Sequence, residues 1–148
     1  NVIRVSTILR PSKLWFLAAA LLVGCGKSDI PLAQVEGTIL LDGRPLANAT
    51  VEFQPAEGTA KGRPSIGETG PDGKYKLRFS KEKWGAAVGR HKVMISTFSP
   101  EGDGKFRERV PAVYNSSTTL VREVEKNKNW LDFDLQTNAA LLQANAGR

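Results

Sequence analysis

The sequence predicts an all-β protein built as a seven-stranded antiparallel β-sandwich. Between Ala33 and Leu135, apolar residues recur with a period of two rather than about 3.6. The apolar segments are short, and Gly, Pro, Asn or Asp residues stand between them. Short strands at close intervals, without a long helical period, are typical of two packed antiparallel sheets. We therefore assign one β-sandwich domain to residues 34–136.

The predicted strands alternate with clear turn signals. Alternating apolar and polar residues predict strands over residues 35–41, 49–54, 65–69, 74–79, 92–98, 119–124 and 130–135. The pair Asp42-Gly43 predicts a hairpin turn, and the run Gly70-Pro71-Asp72-Gly73 predicts another. Residues 110–115 are expected to be extended because they contain Pro111.

The apolar phase of the strands predicts the core. Phe53, Leu77 and Phe133 each stand at the centre of an alternating triplet, so we expect them to be buried on facing sheets. Residues of the opposite phase are expected to face solvent and to tolerate alanine; examples are Glu52, Lys76 and Asp132.

Residues 1–24 have the layout of a secretory signal peptide. Basic residues precede an uncharged apolar run over residues 14–23, and Gly24 then precedes Cys25, the one cysteine of the chain. The segment resembles the bacterial lipobox, which implies that a diacylglycerol is attached to the Cys25 thiol and that cleavage makes Cys25 the first mature residue. The apolar run is shorter than the roughly 20 residues that span a bilayer. The competing interpretation is that Cys25 is a small buried structural residue.

This processing divides the rest of the chain and changes its charge. Residues 25–33 become a lipidated linker, and residues 137–148 are expected to be a flexible tail. Removing residues 1–24 takes away three basic residues and no acid, so the formal charge falls from +6 to +3. The remaining basic residues are interleaved with other residues rather than clustered with aromatic ones, so no nucleic-acid partner is expected. With Cys25 lipidated, the domain is expected to fold without disulfides.

Several sequence segments, taken together, resemble the carboxypeptidase regulatory-like, prealbumin-type domain. They are residues 35–38, 41–49 and 51–53, with Asp72-Gly73-Lys74-Tyr75 at a later hairpin. Residues 89–93, 110–115 and 133–135 are similar to small exported lipoproteins that abound in planctomycetes. The resemblance covers about residues 34–135 and implies a prealbumin- or immunoglobulin-like sandwich. It implies little about function, because the matching residues are turn formers and core residues.

The sequence contains few residues that could form a catalytic site. Hydrolases that share the prealbumin fold use several histidines, an arginine and a C-terminal motif that contains tyrosine, whereas this chain has one histidine, His91. His91 is in phase with Val93, and the resembling lipoproteins usually carry tyrosine there, so we expect a structural, partly buried and neutral His91. We therefore predict no catalytic residues, no enzyme activity and no cofactor. A zinc site is not expected either, since a cluster of His and Cys ligands is missing from the sequence.

Two kinds of binding site stay open. Calcium could find oxygen ligands at Asp72, at Glu101 and Asp103, or at Asp132 and Asp134, although Asp-Gly pairs are more often plain turns and we predict no metal site. A glycan or peptide surface could use the large aromatic residues, of which Trp130 falls out of phase with the core face formed by Leu131, Phe133 and Leu135. The candidates are Trp84, Tyr114 and Trp130, with Phe106 as a further aromatic residue.

These observations predict a lipid-anchored module of the cell envelope, held at a membrane through Cys25, with a structural or binding role and no enzymatic one. Gly26 follows Cys25 where an Asp would retain an enterobacterial lipoprotein at the inner membrane, so the resemblance favours the outer membrane. Possible partners are a glycan or an envelope protein. The alternatives are an envelope carbohydrate-binding module and a transthyretin-like hydrolase.

Overall fold

The computed structural model describes residues 30–58, 60–97 and 108–138, and these residues form an all-β domain. The predicted signal peptide, Cys25, the loop residues Glu101, Asp103 and Phe106, and tail residues 139–148 lie outside the described residues. The strands are β1 (Leu32–Ala33), β2 (Val35–Leu41), β3 (Arg44–Pro45), β4 (Thr50–Pro55), β5 (Ser65–Glu68), β6 (Lys74–Lys76), β7 (Ala86–Ala87), β8 (Gly89–Ser96), β9 (Val121–Val124), β10 (Asn129–Trp130) and β11 (Phe133–Leu135). The described ranges contain no helix that is both long enough and apolar enough to cross a bilayer.

The first of two main sheets is arranged around β2. Strands β3 and β6 pair with β2 in antiparallel fashion, and β10 and β11 pair with it in parallel. The β2–β3 hairpin turns at Asp42-Gly43, and a Gly73 N–H to Gly70 carbonyl bond of 2.9 Å closes the turn before β6. Both predicted turns are therefore confirmed.

The second main sheet has the order β5-β4-β8-β9 and is antiparallel throughout. Its buried face shares one core with the buried face of the first sheet. The Phe53 ring on β4 meets the Phe133 ring on β11 edge-on at 6.3 Å between centroids. Phe53, Leu77 and Phe133 are all buried, as the alternation of the sequence predicts.

The expectation of seven uniformly antiparallel strands is wrong in its pairing and in its count. The described residues form eleven short strands, and β10 and β11 run parallel to β2. Parallel neighbours need a crossover connection. Here the chain forms all four strands of the second sheet between β3 and β10, visits the first sheet once at β6, and returns after β9 to lie beside β2. A short additional pair, β1 with β7, joins residues of the predicted linker to the loop after β6.

The last predicted strand is interrupted at Leu131 and Asp132, and the structure around the gap explains why. Gly37 faces the gap, and a Cβ atom at this position would lie 1.9 Å from the Leu131 carbonyl oxygen. The Asp132 Oδ1 atom accepts a 2.7 Å hydrogen bond from the Thr38 N–H, and the Tyr75 hydroxyl donates a 2.6 Å bond to the Leu131 carbonyl. Side chains thus replace the backbone bonds that a continuous strand would make. Asp132 is exposed, as expected, but it carries a structural role that the phase argument missed.

Residues 110–115 are not extended as predicted. Ala112–Tyr114 form a 3-10 helix, and the N–H groups of Tyr114 and Asn115 donate to the carbonyls of Pro111 and Ala112. A proline restricts the backbone conformation of the residue before it and leaves the residues after it free to turn. Pro111 therefore favours an extended backbone at Val110 alone.

Candidate ligand groove

A groove of about 880 Å³ lies on the outer surface where the two sheets meet at β5 and β6. The backbone N–H and carbonyl of Arg78 bond to the carbonyl and N–H of Ile66, which lies in β5. The chain that follows β6 therefore crosses from the first sheet to the edge of the second. The side chains that matter for its chemistry are Glu36, Arg63, Glu68, Lys74, Lys76, Arg78, Lys81, Trp84 and Trp130.

The crossing of β5 over β6 is close because Gly67 lies in the middle of β5. A Cβ atom on Gly67 would lie 2.7 Å from the Lys76 carbonyl oxygen. Glycine therefore lets the two backbones meet at the floor of the groove, while the neighbouring side chains Ile66 and Glu68 stay exposed.

Trp84 forms one end of the aromatic surface. It is 47% exposed, and Arg78 and Trp84 form an isolated β-bridge. The Arg78 guanidinium lies 4.2 Å and the Lys76 ammonium 5.3 Å from the centroid of the Trp84 ring. These cation–π contacts fix two positive charges beside an exposed indole.

Glu36 connects this end of the groove to Trp130. Each of its two carboxylate oxygens forms an ion pair of 3.1 Å. Oε1 pairs with the Lys76 ammonium, and Oε2 pairs with the Lys128 ammonium. Hydrogen bonds from Lys128 and then Lys76 hold the pKa of Glu36 below its usual value. The Lys128 ammonium also lies 6.0 Å from the centroid of the Trp130 ring.

Trp130 is 54% exposed, as its phase in the sequence predicts. Its indole N–H donates a 3.2 Å hydrogen bond to Asp132 Oδ2, so the carboxylate that bridges the gap in the last strand also orients the indole. The position of Trp130 therefore depends on Gly37 and Asp132.

Five basic and two acidic residues line the groove. Lys74 is paired with Asp72 at 3.3 Å, and Lys76 with Glu36. Among the residues that the structure describes, no carboxylate forms an ion pair with Arg63, Arg78 or Lys81. Three cations thus remain free to meet a ligand. The alternation of Lys74, Lys76 and Arg78 in the sequence predicts an ordinary solvated face of a strand and gives no sign that Lys76 and Arg78 lie over the Trp84 ring.

Tyr114 does not line the groove. It lies in the 3-10 helix, packs partly buried against the core, and its hydroxyl accepts a 3.2 Å hydrogen bond from the Gln136 N–H. Of the three aromatic residues suggested by the sequence, the structure brings together Trp84 and Trp130.

His91 is fully buried beside Phe53, with 5.9 Å between the ring centroids. Its Nδ1 atom lies 2.9 Å from the Gly89 carbonyl oxygen, and its Nε2 atom has no partner among the described residues. Burial lowers the pKa of His91, although the Gly89 carbonyl and Glu123 act in the opposite direction. This geometry matches the expected inward-facing, neutral histidine and leaves the ring out of reach of a substrate at the surface.

Glu108 is a structural residue that sequence analysis did not single out. Its Oε1 atom accepts bonds from the Thr97 N–H (2.9 Å), the Thr97 hydroxyl (2.7 Å) and the Val110 N–H (2.9 Å), and Oε2 accepts a bond from the Ser96 hydroxyl. Desolvation alone would raise its pKa, but these hydrogen bonds outweigh that effect and lower the pKa to about 2. Glu108 therefore fastens the segment after residue 107 to the end of β8.

Three of the five carboxylates considered for calcium lie among the described residues, and each of them contacts another protein group. Asp72 pairs with Lys74, Asp132 bonds Thr38 and Trp130, and Asp134 accepts a 3.5 Å bond from Gln136. Within residues 30–58, 60–97 and 108–138, no three His, Cys, Asp or Glu side chains are grouped closely enough to hold a metal ion.

No family model matches this chain, and no curated protein sequence matches it. Among solved structures it is similar to a DUF3823 family protein from Parabacteroides merdae ATCC 43184, with 13% identity and a TM-score of 0.40. It is also similar to a 9R-lipoxygenase from Cyanothece PCC8801, with 18% identity and a TM-score of 0.36. Each match covers 72% of this chain, but 47% of the first protein and 16% of the second. With TM-scores this low, neither similarity identifies a fold family or a function.

Proposed function

We propose that this chain is a lipid-anchored, non-enzymatic binding domain of the cell envelope and that its ligand occupies the groove between Trp84 and Trp130. The observation that carries the proposal is the presence of two tryptophans, each about half exposed, in one basic groove. Exposed aromatic surface is unfavourable in water, and an indole offers both a flat apolar face and a hydrogen-bond donor to a ligand. The same feature supports the envelope carbohydrate-binding module as the second form of this proposal.

The anchoring part of the proposal rests on the sequence around Cys25 and its resemblance to a lipobox. Six residues separate Cys25 from Leu32, the first residue of β1. A fully extended linker of that length spans about 20 Å, so the domain would lie close to the membrane. The Gly26 residue after the cysteine favours the outer membrane. Growth with labelled palmitate should label the wild type and not Cys25→Ser, and label retained in the variant would refute the anchor.

The proposed architecture is a prealbumin-like sandwich of the kind found in the planctomycete lipoproteins that the sequence resembles. The edge-on contact of Phe53 with Phe133, which joins the two sheets, supports it. The non-enzymatic part is supported by the full burial of His91, the one histidine of the chain. Turnover of hydroxyisourate or a generic ester that disappears in His91→Tyr would overturn it and favour the transthyretin-like hydrolase.

A glycan array tests the binding part most broadly. We expect the full chain to bind at least one class of glycan, and Trp84→Ala and Trp130→Ala to abolish that signal. Val121 on β9 is a matched control, because it is 47% exposed and does not line the groove. Binding that survives both tryptophan variants, or that Val121→Ala abolishes equally, would remove the groove from the proposal.

A further inference from the structure

The groove combines aromatic surface, free cations and hydrogen-bond acceptors, and this combination restricts the chemistry of a ligand. We propose that the ligand is an acidic polysaccharide, a chain of sugar rings that carry carboxylates or sulfates. This inference rests on the proposed function, since it identifies the ligand class of the same groove.

The two indoles suit the rings of such a chain. The apolar face of a sugar ring can stack on an indole, and Trp84 and Trp130, which are 47% and 54% exposed, both line this groove. The indoles are linked through Lys76, Glu36 and Lys128, whose contacts hold the surface between them in place. A pre-organised surface loses little conformational entropy when the ligand binds.

The free cations suit the acidic groups. Arg63, Arg78 and Lys81 are exposed, line the groove and form no ion pair with a described carboxylate. Arg78 lies over the Trp84 ring, so an acidic sugar bound against the remaining exposed part of that indole would have a guanidinium nearby. A guanidinium binds carboxylate or sulfate oxygens in a bidentate, charge-assisted manner.

The acidic residues of the groove favour a sugar over a nucleic acid. Glu36 and Glu68 present carboxylate oxygens, which accept hydrogen bonds from hydroxyl groups and repel anions, so a ligand must place neutral hydroxyls there; a nucleic acid, with a phosphate at every unit, is less suited to do so. The charge of Glu36 is balanced by Lys76 and Lys128, so the end near Trp130 suits the hydroxyl-bearing face of a ring. A ligand with both hydroxyls and intermittent negative charge satisfies both ends.

Tryptophan emission reports directly on this groove. The chain has three tryptophans, and Trp84 and Trp130 both line the groove. Trp15 lies in the segment removed by the proposed cleavage, so in the mature chain, as in a full chain carrying Trp15→Phe, all tryptophan emission comes from the groove. We would titrate this protein with hexagalacturonate, a sulfated galactan oligosaccharide, cellohexaose and single-stranded oligothymidylate.

We expect a saturable change in emission with hexagalacturonate or the sulfated oligosaccharide, and the two titrations identify which acidic group is preferred. Arg78→Glu should weaken binding by about tenfold or more, whereas Lys92→Glu, an equal charge change on β8 outside the groove, should not. Raising the salt concentration should weaken the interaction.

Equal binding of cellohexaose, unaffected by Arg78→Glu, would overturn the acidic ligand and leave the groove as a site for neutral glycans. Tighter binding of oligothymidylate than of either acidic oligosaccharide would also overturn it. The proposed function itself fails if no oligosaccharide changes the emission and if no glycan on the array shows binding that the Trp84→Ala and Trp130→Ala variants lose.

Discussion

At the residue scale, Asp132 links the fold to the groove through its two carboxylate oxygens. One accepts the Thr38 N–H and the other the Trp130 indole N–H. Asp132→Ala should cost about 1 kcal/mol of unfolding free energy, because it removes a backbone bond at an exposed position. Denaturant unfolding measures this cost, and Asp134→Ala is the control, because that exposed neighbour accepts one long bond from Gln136. Equal stabilities of the two variants would mean that Asp132 does not hold the gap.

Glu108 should make stability depend on pH in the acid range. Its pKa is lowered to about 2 in the folded protein from an ordinary value of 4.5. The unfolded chain therefore takes up the proton first, so the stabilisation is complete above pH 4.5 and is lost as the pH falls toward 2. Unfolding curves across this range should be flatter for Glu108→Gln than for the wild type. The control Glu57→Gln, in an exposed loop, should show the same dependence of unfolding free energy on pH as the wild type. If Glu108→Gln also shows the wild-type dependence, Glu108 is not its cause.

His91 should add a second dependence at higher pH, with a different cause. Burial lowers its pKa below the ordinary value of 6.5, so the unfolded state binds a proton that the folded state resists. Stability due to the neutral ring is present above pH 6.5 and declines as the pH falls below it. His91→Tyr should fold at least as well as the wild type near neutral pH and lose this decline. A variant that retains the same slope between about pH 7 and pH 5 would show that other groups cause it.

At the element scale, the interrupted C-terminal strand depends on the absence of a side chain at Gly37. An alanine Cβ would meet the Leu131 carbonyl oxygen at 1.9 Å, and that backbone is held by β10 and β11 on either side. Gly37→Ala should therefore destabilise the domain by about 3 kcal/mol, as expected for a backbone clash inside a sheet. In Gly70→Ala the new methyl group would meet a side-chain oxygen of Asp72 at 3.3 Å, so it serves as the control in thermal unfolding. Similar melting temperatures for the two variants would contradict this view of the gap.

The strands show which parts of the fold a period of two can predict. It predicted β2 with its observed bounds and the burial of Phe53, Leu77 and Phe133, because each strand has one buried face. It could not predict the interruption after Trp130, because the missing backbone bonds are replaced by side-chain bonds to segments distant in sequence, from Asp132 to Thr38 and from Tyr75 to Leu131. The parallel pairing of β11 with β2 was also out of reach, because it depends on the path of the whole chain.

At the scale of the whole molecule, the groove exists because the chain after β6 crosses between the two sheets. The sequence suggests Trp84 and Trp130 as binding residues, with Trp130 out of phase with the core, and each is exposed. Their presence in one groove, with Arg78 over one indole, follows from pairing between distant segments that composition and spacing do not encode. Tyr114 looked equivalent in sequence but packs against the core.

The central claim is that Trp84 and Trp130 form the ligand surface of an envelope binding domain. The most direct measurement is the nuclear magnetic resonance spectrum of the proposed mature chain, which begins at Cys25, during titration with hexagalacturonate. Cleavage removes Trp15, so the two indole N–H signals of the mature chain come from Trp84 and Trp130. We expect these two signals to shift together and to saturate at one ligand concentration, while the backbone N–H signal of Val121, outside the groove, does not move. Saturable binding that leaves the Trp84 and Trp130 signals unchanged would contradict the central claim.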